Sequence, residues 1–390
     1  MATARQAYEN NMAIRQNILA QAVPVIQNVR SGSLTYTYGQ PTTWTVLASN
    51  VGLIRRFYLV LSGTVNAAST YTATPTAFGL ANLLSNVTFI DQNNRQRINT
   101  TGAHLHFEAT VKRKRIFGAA QVASTGTSDP TGFGINFPVM KTTGVVTGTT
   151  SKNFTWIWEI PVVVDNRDLT GAVYANQTTS NNQLQFTLNP NAFVYSADGY
   201  NAAYKMNAAL ATSLPTLTNL TWTLYQDFLD QLPVDPTGFA QLPPLDIAYA
   251  QCLQYINPGP QVAAQDNLYA LPPFNLYQGI MAFWDNYTYN TTIGGDVDTI
   301  KVQISNTYIL KQYDPLMLAV RTRNHVGADL PGFISSSDSG AVYYLDFHDK
   351  PLSVNQLSST NIVFHPNTVN SGASLMYGQK YLWFANQALG

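Results

Sequence analysis

Charge is what this sequence has least of. Charged side chains make up 11% of its 390 residues, against roughly a quarter in an average soluble protein. Glutamate occurs three times, at Glu9, Glu108 and Glu159. Glu and Lys are the ordinary solvent-face residues of helices, so a shortage of glutamate argues against a helical protein. The 21 basic residues balance 21 acidic ones. A net charge of zero leaves no global field to draw in nucleic acid or an acidic membrane. Cys252 stands alone, which excludes an intrachain disulfide. No run of 18 apolar residues occurs, so no helix is expected to span a bilayer. The opening MATARQAYENNMAIRQNILAQ lacks a continuous apolar stretch and does not read as a secretory signal. Such a chain is expected to fold in a cytoplasm. A neutral, charge-poor surface protects poorly against self-association. That is a liability for a monomeric enzyme and acceptable for a subunit that its neighbours cover.

What the chain has instead is apolar and β-forming. Hydrophobic residues reach 45%, with 22 Tyr and 18 Phe, enough for a sizeable core rich in strand formers. Residues 3 to about 28 are the best helix candidate, with apolar Tyr8, Met12, Leu19, Val23 and Ile26 and no Gly or Pro before Pro24. Beyond Arg30 short alternating runs predict strands near 33–38, 43–48, 53–65, 83–91, 95–100, 153–162, 183–188 and 218–229. Eight short strands with long connections suit a jelly roll, whose two packed sheets manage its edges. The Pro-rich DQLPVDPTGFAQLPP (230–244) breaks the chain. A second set then begins, near 245–255, 262–270, 274–285, 299–310, 341–347, 360–365 and 378–386. The expected fold is all-β: two tandem eight-stranded jelly rolls, a double jelly roll, with an N-terminal helix and short inserted helices. The expected division is a helical arm over 1–32, a first jelly roll over 33–232 and a second over 233–390.

One stretch tempts a metal reading. TGAHLHFE places His104 and His106 one residue apart, and on a strand both imidazoles would share a face. The second half argues otherwise. DPLMLAVRTRNHVG (314–327) reads as a helix capped by Asp314, with Pro315 in the first turn, late basic residues and Gly327 as stop. TGAHLHFEATVKRKRIFG (101–118) occupies the matching place in the first half, with Thr101 as cap and Gly118 as stop. The shared layout suggests an old duplication. On a helix, residues two apart diverge by about 200°, so the histidines would not chelate one ion. The cupin pattern also fails, because Ile98 stands where it needs glycine and Thr110 or Val111 where it needs glutamate. No metal and no cofactor is expected. The basic run Lys112, Arg113, Lys114 and Arg115 reads as a helix-end cap or subunit contact rather than a nucleic-acid site. Asp227 and Asp230 could imitate a glycosidase pair, yet in LYQDFLDQLP they more simply end a strand. Asp296 and Asp298 give a thin calcium hint. Nucleotide and hydrolase motifs are absent, and no catalytic residue is expected.

FGLANLLSNVTFIDQNNRQRINTTGAHLHF (78–107) resembles the first jelly roll of tectivirus major capsid proteins, as do NRDLTGAVYANQ (166–177) and TLYQDFLDQLP (223–233). RQNILAQAVPVIQNV, HDKPL and NPNTVN are similar too, so the likeness is scattered over most of the chain. It is least in the 119–150 insert, whose role stays open. The resemblance implies a structural protein without catalysis, whose trimer of six upright sandwiches has a hexon-like, near-hexagonal outline. It implies an icosahedral bacteriophage shell, assembled in the host cytoplasm over an internal membrane that encloses double-stranded DNA. The partners implied are a homotrimer, neighbouring capsomers, and minor capsid and vertex proteins, with no sequence-specific nucleic-acid binding. The N-terminal helix of such proteins lies beneath the shell. Here it would bring Arg5 and Arg15 to lipid headgroups, or pack as an arm on the next subunit. A carbohydrate-binding or carbohydrate-active double β-sandwich is the competing reading. It requires aromatics gathered in an exposed groove.

Overall fold

The computed structural model describes residues 4–66, 72–75, 78–113, 146–147, 151–175, 181–195, 203–206, 215–286, 296–305, 308–326, 340–354, 359–371 and 373–384. Strand dominates these residues, in four sheets. The first sandwich pairs two four-strand layers. One runs in the order Val23–Leu34, Thr216–Asp230, Leu53–Asn66 and Ser151–Pro161, and the other Gln96–Thr100, Leu84–Ile90, Gln183–Leu188 and Thr43–Leu47. The second repeats the plan. Gly340–Asp346, Leu276–Asp285, Ser374–Phe384 and Tyr249–Ile256 form one layer, and Asn267–Ala270, Thr360–Pro366, Val297–Ile304 and Tyr308–Tyr313 the other. Two eight-stranded jelly rolls are therefore present. Each closes on aromatics from facing layers: Trp44 lies 6.0 Å from Trp222 and Phe57 5.4 Å from Phe89, ring centre to ring centre. In the second sandwich Trp284 and Tyr343 both meet Phe364, at 5.1 and 6.4 Å.

The sandwiches are not separate beads. Gln96–Thr100 pairs in parallel with Tyr249–Ile256 through Leu253 with Ile98 and Gln254 with Asn99. One nine-stranded sheet thereby runs through both halves. A single hydrophobic cluster spans them as well, from Val46 to Tyr381.

Among the described residues four α-helices decorate this body: α1 (Ala4–Gln21), α2 (Gly102–Arg113), the short α3 (Pro244–Ala248) and α4 (Pro315–Val326). The caps read from sequence are in place. The Thr101 hydroxyl accepts from the His104 amide at 3.2 Å, and the Asp314 carboxylate from the Met317 amide at 2.8 Å. Gly118 and Gly327, the expected stops, lie outside the described residues.

The N-terminal expectation needs correcting. The helix ends at Gln21 rather than near 28, and Val23–Leu34 is a strand paired antiparallel with Thr216–Asp230. β-branched Val23, Val25 and Ile26 favour extended backbone, and Pro24 is tolerated because this is an edge strand. The helical arm is thus shorter than 1–32, and the strand expected at 33–38 begins ten residues earlier. In the second half, 245–255 divides into α3 and a strand, and 299–310 into two strands around Ser305, whose φ is 52°.

Candidate functional site

The two histidines sit on α2, fully buried, and they look in different directions. His104 Nδ1 lies 2.6 Å from the Thr100 hydroxyl, and its ring stands edge-on to Phe283 at 6.1 Å. Its Nε2 is 3.8 Å from Glu108, which also meets Lys380 at 3.5 Å. Burial favours the acid form of Glu108, but Lys380 and His104 together hold its carboxyl below the ordinary range. His106 packs on Trp156 and Phe107, at 5.1 and 5.2 Å between ring centres. Burial drives its pKa down to about 3, so the ring is neutral in the fold. Among the described residues no group of three or more His, Cys, Asp or Glu is placed to hold a metal ion. His104 joins the sandwiches. Thr100 and α2 belong to the first half, and Phe283 and Lys380 to the second.

Other buried charges are paired. Asp227, far from being a free acid, accepts from Arg55 at 2.6 Å and faces Arg56 at 3.0 Å, while Arg56 also meets Glu159 at 3.1 Å. Asp230 is exposed at the strand end. Arg97 is held by Asp91 at 2.6 Å and donates to the Gly171 carbonyl at 2.7 Å. Asp296 accepts from the Trp284 indole at 2.7 Å, and the Cys252 thiol is buried, its pKa raised to about 12 by desolvation. Such groups are spent on structure.

The basic residues singled out from sequence are scattered. Arg5 is exposed and pairs with Glu9 one turn on, at 2.8 Å. Arg15 turns inward instead: its guanidinium grips the buried Asp246 carboxylate, and it lies 3.1 Å from Asp168. Asn11 donates to the same Asp246 at 2.9 Å. Ile18 beside them enters a small apolar cluster with Leu53, Val163, Leu169 and Leu229. This set docks the later turns of α1 on the body, whereas residues 4 to 10 are exposed throughout. Arg15 is therefore corrected from a lipid contact to an internal clamp, since a carboxylate buried at 2% exposure demands a partner. Lys112 is half-buried, its pKa lowered to about 8 by desolvation although Glu159 opposes the shift. It is no solvated cap. Arg113 ends α2, and Lys114 and Arg115 lie outside the described residues.

Sequence reasoning missed Asp246 and Lys380. Asp246 lies in the expected strand 245–255, just after the Pro-rich break, and Lys380 in the expected strand 378–386. A lone charge inside an apolar run was the available signal for Lys380. The tryptophans do not favour the carbohydrate reading. Trp156, Trp158 and Trp284 are fully buried and Trp222 is 7% exposed, inside the sandwiches rather than along a groove.

The comparisons agree with this geometry. The family described as P3 major capsid protein N-terminal matches residues 2–232, and the one described as P3 major capsid protein C-terminal matches 261–389. The major capsid protein P3 of Enterobacteria phage PRD1 is 29% identical over 97% of this chain and 92% of its own length. Among solved structures, the STIV MCP crystal structure is similar with a TM-score of 0.63 at 11% identity, covering 94% of this chain and 98% of that one. A chain from the atomic structure of Sulfolobus Turreted Icosahedral Virus reaches 0.57 at 12% identity, covering 93% and 91%. At such identities these two speak for the fold alone.

Proposed function

Because the chain belongs to the family of P3 major capsid proteins, we propose that three copies close into a near-hexagonal ring and that such rings tile a bacteriophage shell. The role of the chain is structural, in the virion capsid, and it is not an enzyme. The observation that carries the ring is what its surface leaves uncovered. Arg56, Arg97 and Asp227 are locked in ion pairs inside, while Tyr308, Ile309 and Leu310 on an edge strand and Leu316, Met317 and Val320 on α4 stand exposed. Exposed apolar residues gathered in one region mark an interaction surface, and an open strand edge invites a partner. With a neutral net charge nothing repels a second copy.

The finer partners follow the same reading. The shell would be icosahedral and stand over an internal membrane enclosing double-stranded DNA, with minor capsid and vertex proteins at its special positions. The projecting first turns of α1, carrying Arg5 and Tyr8, would reach that membrane or the adjoining ring. Light scattering behind a sizing column tests the ring. A 42.8 kDa chain taken three times gives about 128 kDa, and a monomer at all concentrations would sink the reading. Co-flotation with anionic vesicles, compared with that of a chain lacking residues 1–10, separates lipid from a neighbouring ring as the target of α1.

A further inference from the structure

The shared sheet opens as soon as its bridging pairs end. Gln96–Thr100 and Tyr249–Ile256 run together where Ile98 meets Leu253 and Asn99 meets Gln254. Beyond that point the first strand gives way to α2 at Gly102, while the second continues to Ile256 beside Ser374–Phe384. The parting strands leave a cavity of about 140 Å³ between the two sandwiches. Phe78 and Ala103 of the first half and Phe283 and Met376 of the second form its apolar wall, all buried. Phe78 stands edge-on to Phe283 at 5.7 Å, ring centre to ring centre. The part-exposed Ser85, Thr101 and Tyr255 make its polar side.

This space differs from the interior around it in two ways. Protein cores are close-packed, and a void costs stability in proportion to its volume. Yet the lining is small where a larger side chain would fill it, at Ala103 and Ser85. The hydroxyls are also incompletely used. Among the described residues no hydrogen bond holds the Tyr255 hydroxyl, and burial alone pushes its pKa up. A hydroxyl withdrawn from water costs free energy until something bonds it. Thr101 accepts from the His104 amide at 3.2 Å, and among the described residues its own proton has no acceptor. Ser85 donates to the Thr187 carbonyl at 3.3 Å, which leaves its oxygen able to accept.

We propose that this cavity binds a compact, neutral, amphipathic molecule, one ring or short branched chain that carries a hydroxyl. Size sets the first limit, since an apolar protein cavity of about 150 Å³ takes up benzene. Charge sets the second. No carboxylate, ammonium or guanidinium is among the lining residues, so a charged ligand would be buried unpaired. Hydrogen bonding sets the third, because a hydroxyl can accept from Thr101 and donate to Ser85 or Tyr255. The rest of the molecule meets Phe78, Phe283 and Met376. Both sandwiches supply walls, so an occupied site braces the chain against parting of its halves. The site is contained in one chain and is independent of the ring.

Phenol, benzene and glycerol are the probes, followed on the full chain by ligand-observed NMR and by thermal melting. Phenol is expected to bind saturably and, at roughly tenfold excess over its Kd, to raise the melting temperature by about 2 °C. Glycerol, which has no apolar body, is expected to leave both readouts unmoved. Tyr255→Phe removes one oxygen and keeps the ring, so the fold is retained. It is expected to weaken phenol about fivefold, the worth of one hydrogen bond, and to leave benzene unchanged. Ala103→Leu fills the space and is expected to abolish both. If that variant does not fold, Tyr255→Phe decides alone. Phenol that fails to saturate, as a cavity holding water only would give, overturns the site. Equal phenol affinity in the wild type and Tyr255→Phe overturns it too.

Discussion

His106 is the residue whose environment makes the sharpest claim. Its ring is neutral because burial among Trp156 and Phe107 lowers its pKa from 6.5 to about 3. Below pH 6.5 the unfolded chain takes up a proton there that the folded chain refuses, so stability falls as pH falls, until the folded value is reached. The loss grows by up to about 1.4 kcal/mol per pH unit through this window. Between pH 6.5 and 5 the melting temperature should drop more steeply for the wild type than for His106→Gln. Equal slopes would show that this ring does not set the acid response. Sequence alone spoke clearly on one point here: a helix cap at Thr101 turned the histidines apart. It could not say what the His104 imidazole would meet, because Phe283 and Lys380 lie far downstream and only the fold brings them near. The same separation hid Asp246 as the partner of Arg15.

At the level of elements, most strands were legible because alternation and turn residues are local signals. LIRRFYLVLSGTV, QLQFTL and TNLTWTLYQDFL announce themselves, and their observed bounds differ by two residues at most. The first thirty residues misled because their apolar spacing continues smoothly past Gln21, while a long-range pairing decides otherwise. Val25 and Ile26 lie opposite Phe228 and Asp227, and a ladder of that length overrides weak helical propensity. What keeps α1 in place is the Arg15–Asp246–Asn11 set. Arg15→Ala would leave a buried carboxylate without its cation, a loss of about 3–5 kcal/mol in comparable pairs. The expected result is faster amide exchange and earlier proteolytic cutting within 4–21 while the sandwiches stay protected. Unchanged protection of α1 would show that Ile18 and its apolar neighbours suffice.

On the scale of the whole molecule, two jelly rolls were legible from two sets of strands around a Pro-rich break, but their fusion was not. Parallel pairing of Leu253 with Ile98 and a cluster running from Val46 to Tyr381 make one cooperative body of them. Calorimetry should therefore show a single transition in the isolated protein, with calorimetric and van't Hoff enthalpies in agreement. Two resolved peaks would mean that the halves melt independently. The shared sheet has a consequence beyond stability. A chain whose halves are stitched by backbone hydrogen bonds has no hinge between them, so it behaves as a stiff paving stone. Any bending that a closed surface demands has to be absorbed in the mortar between stones.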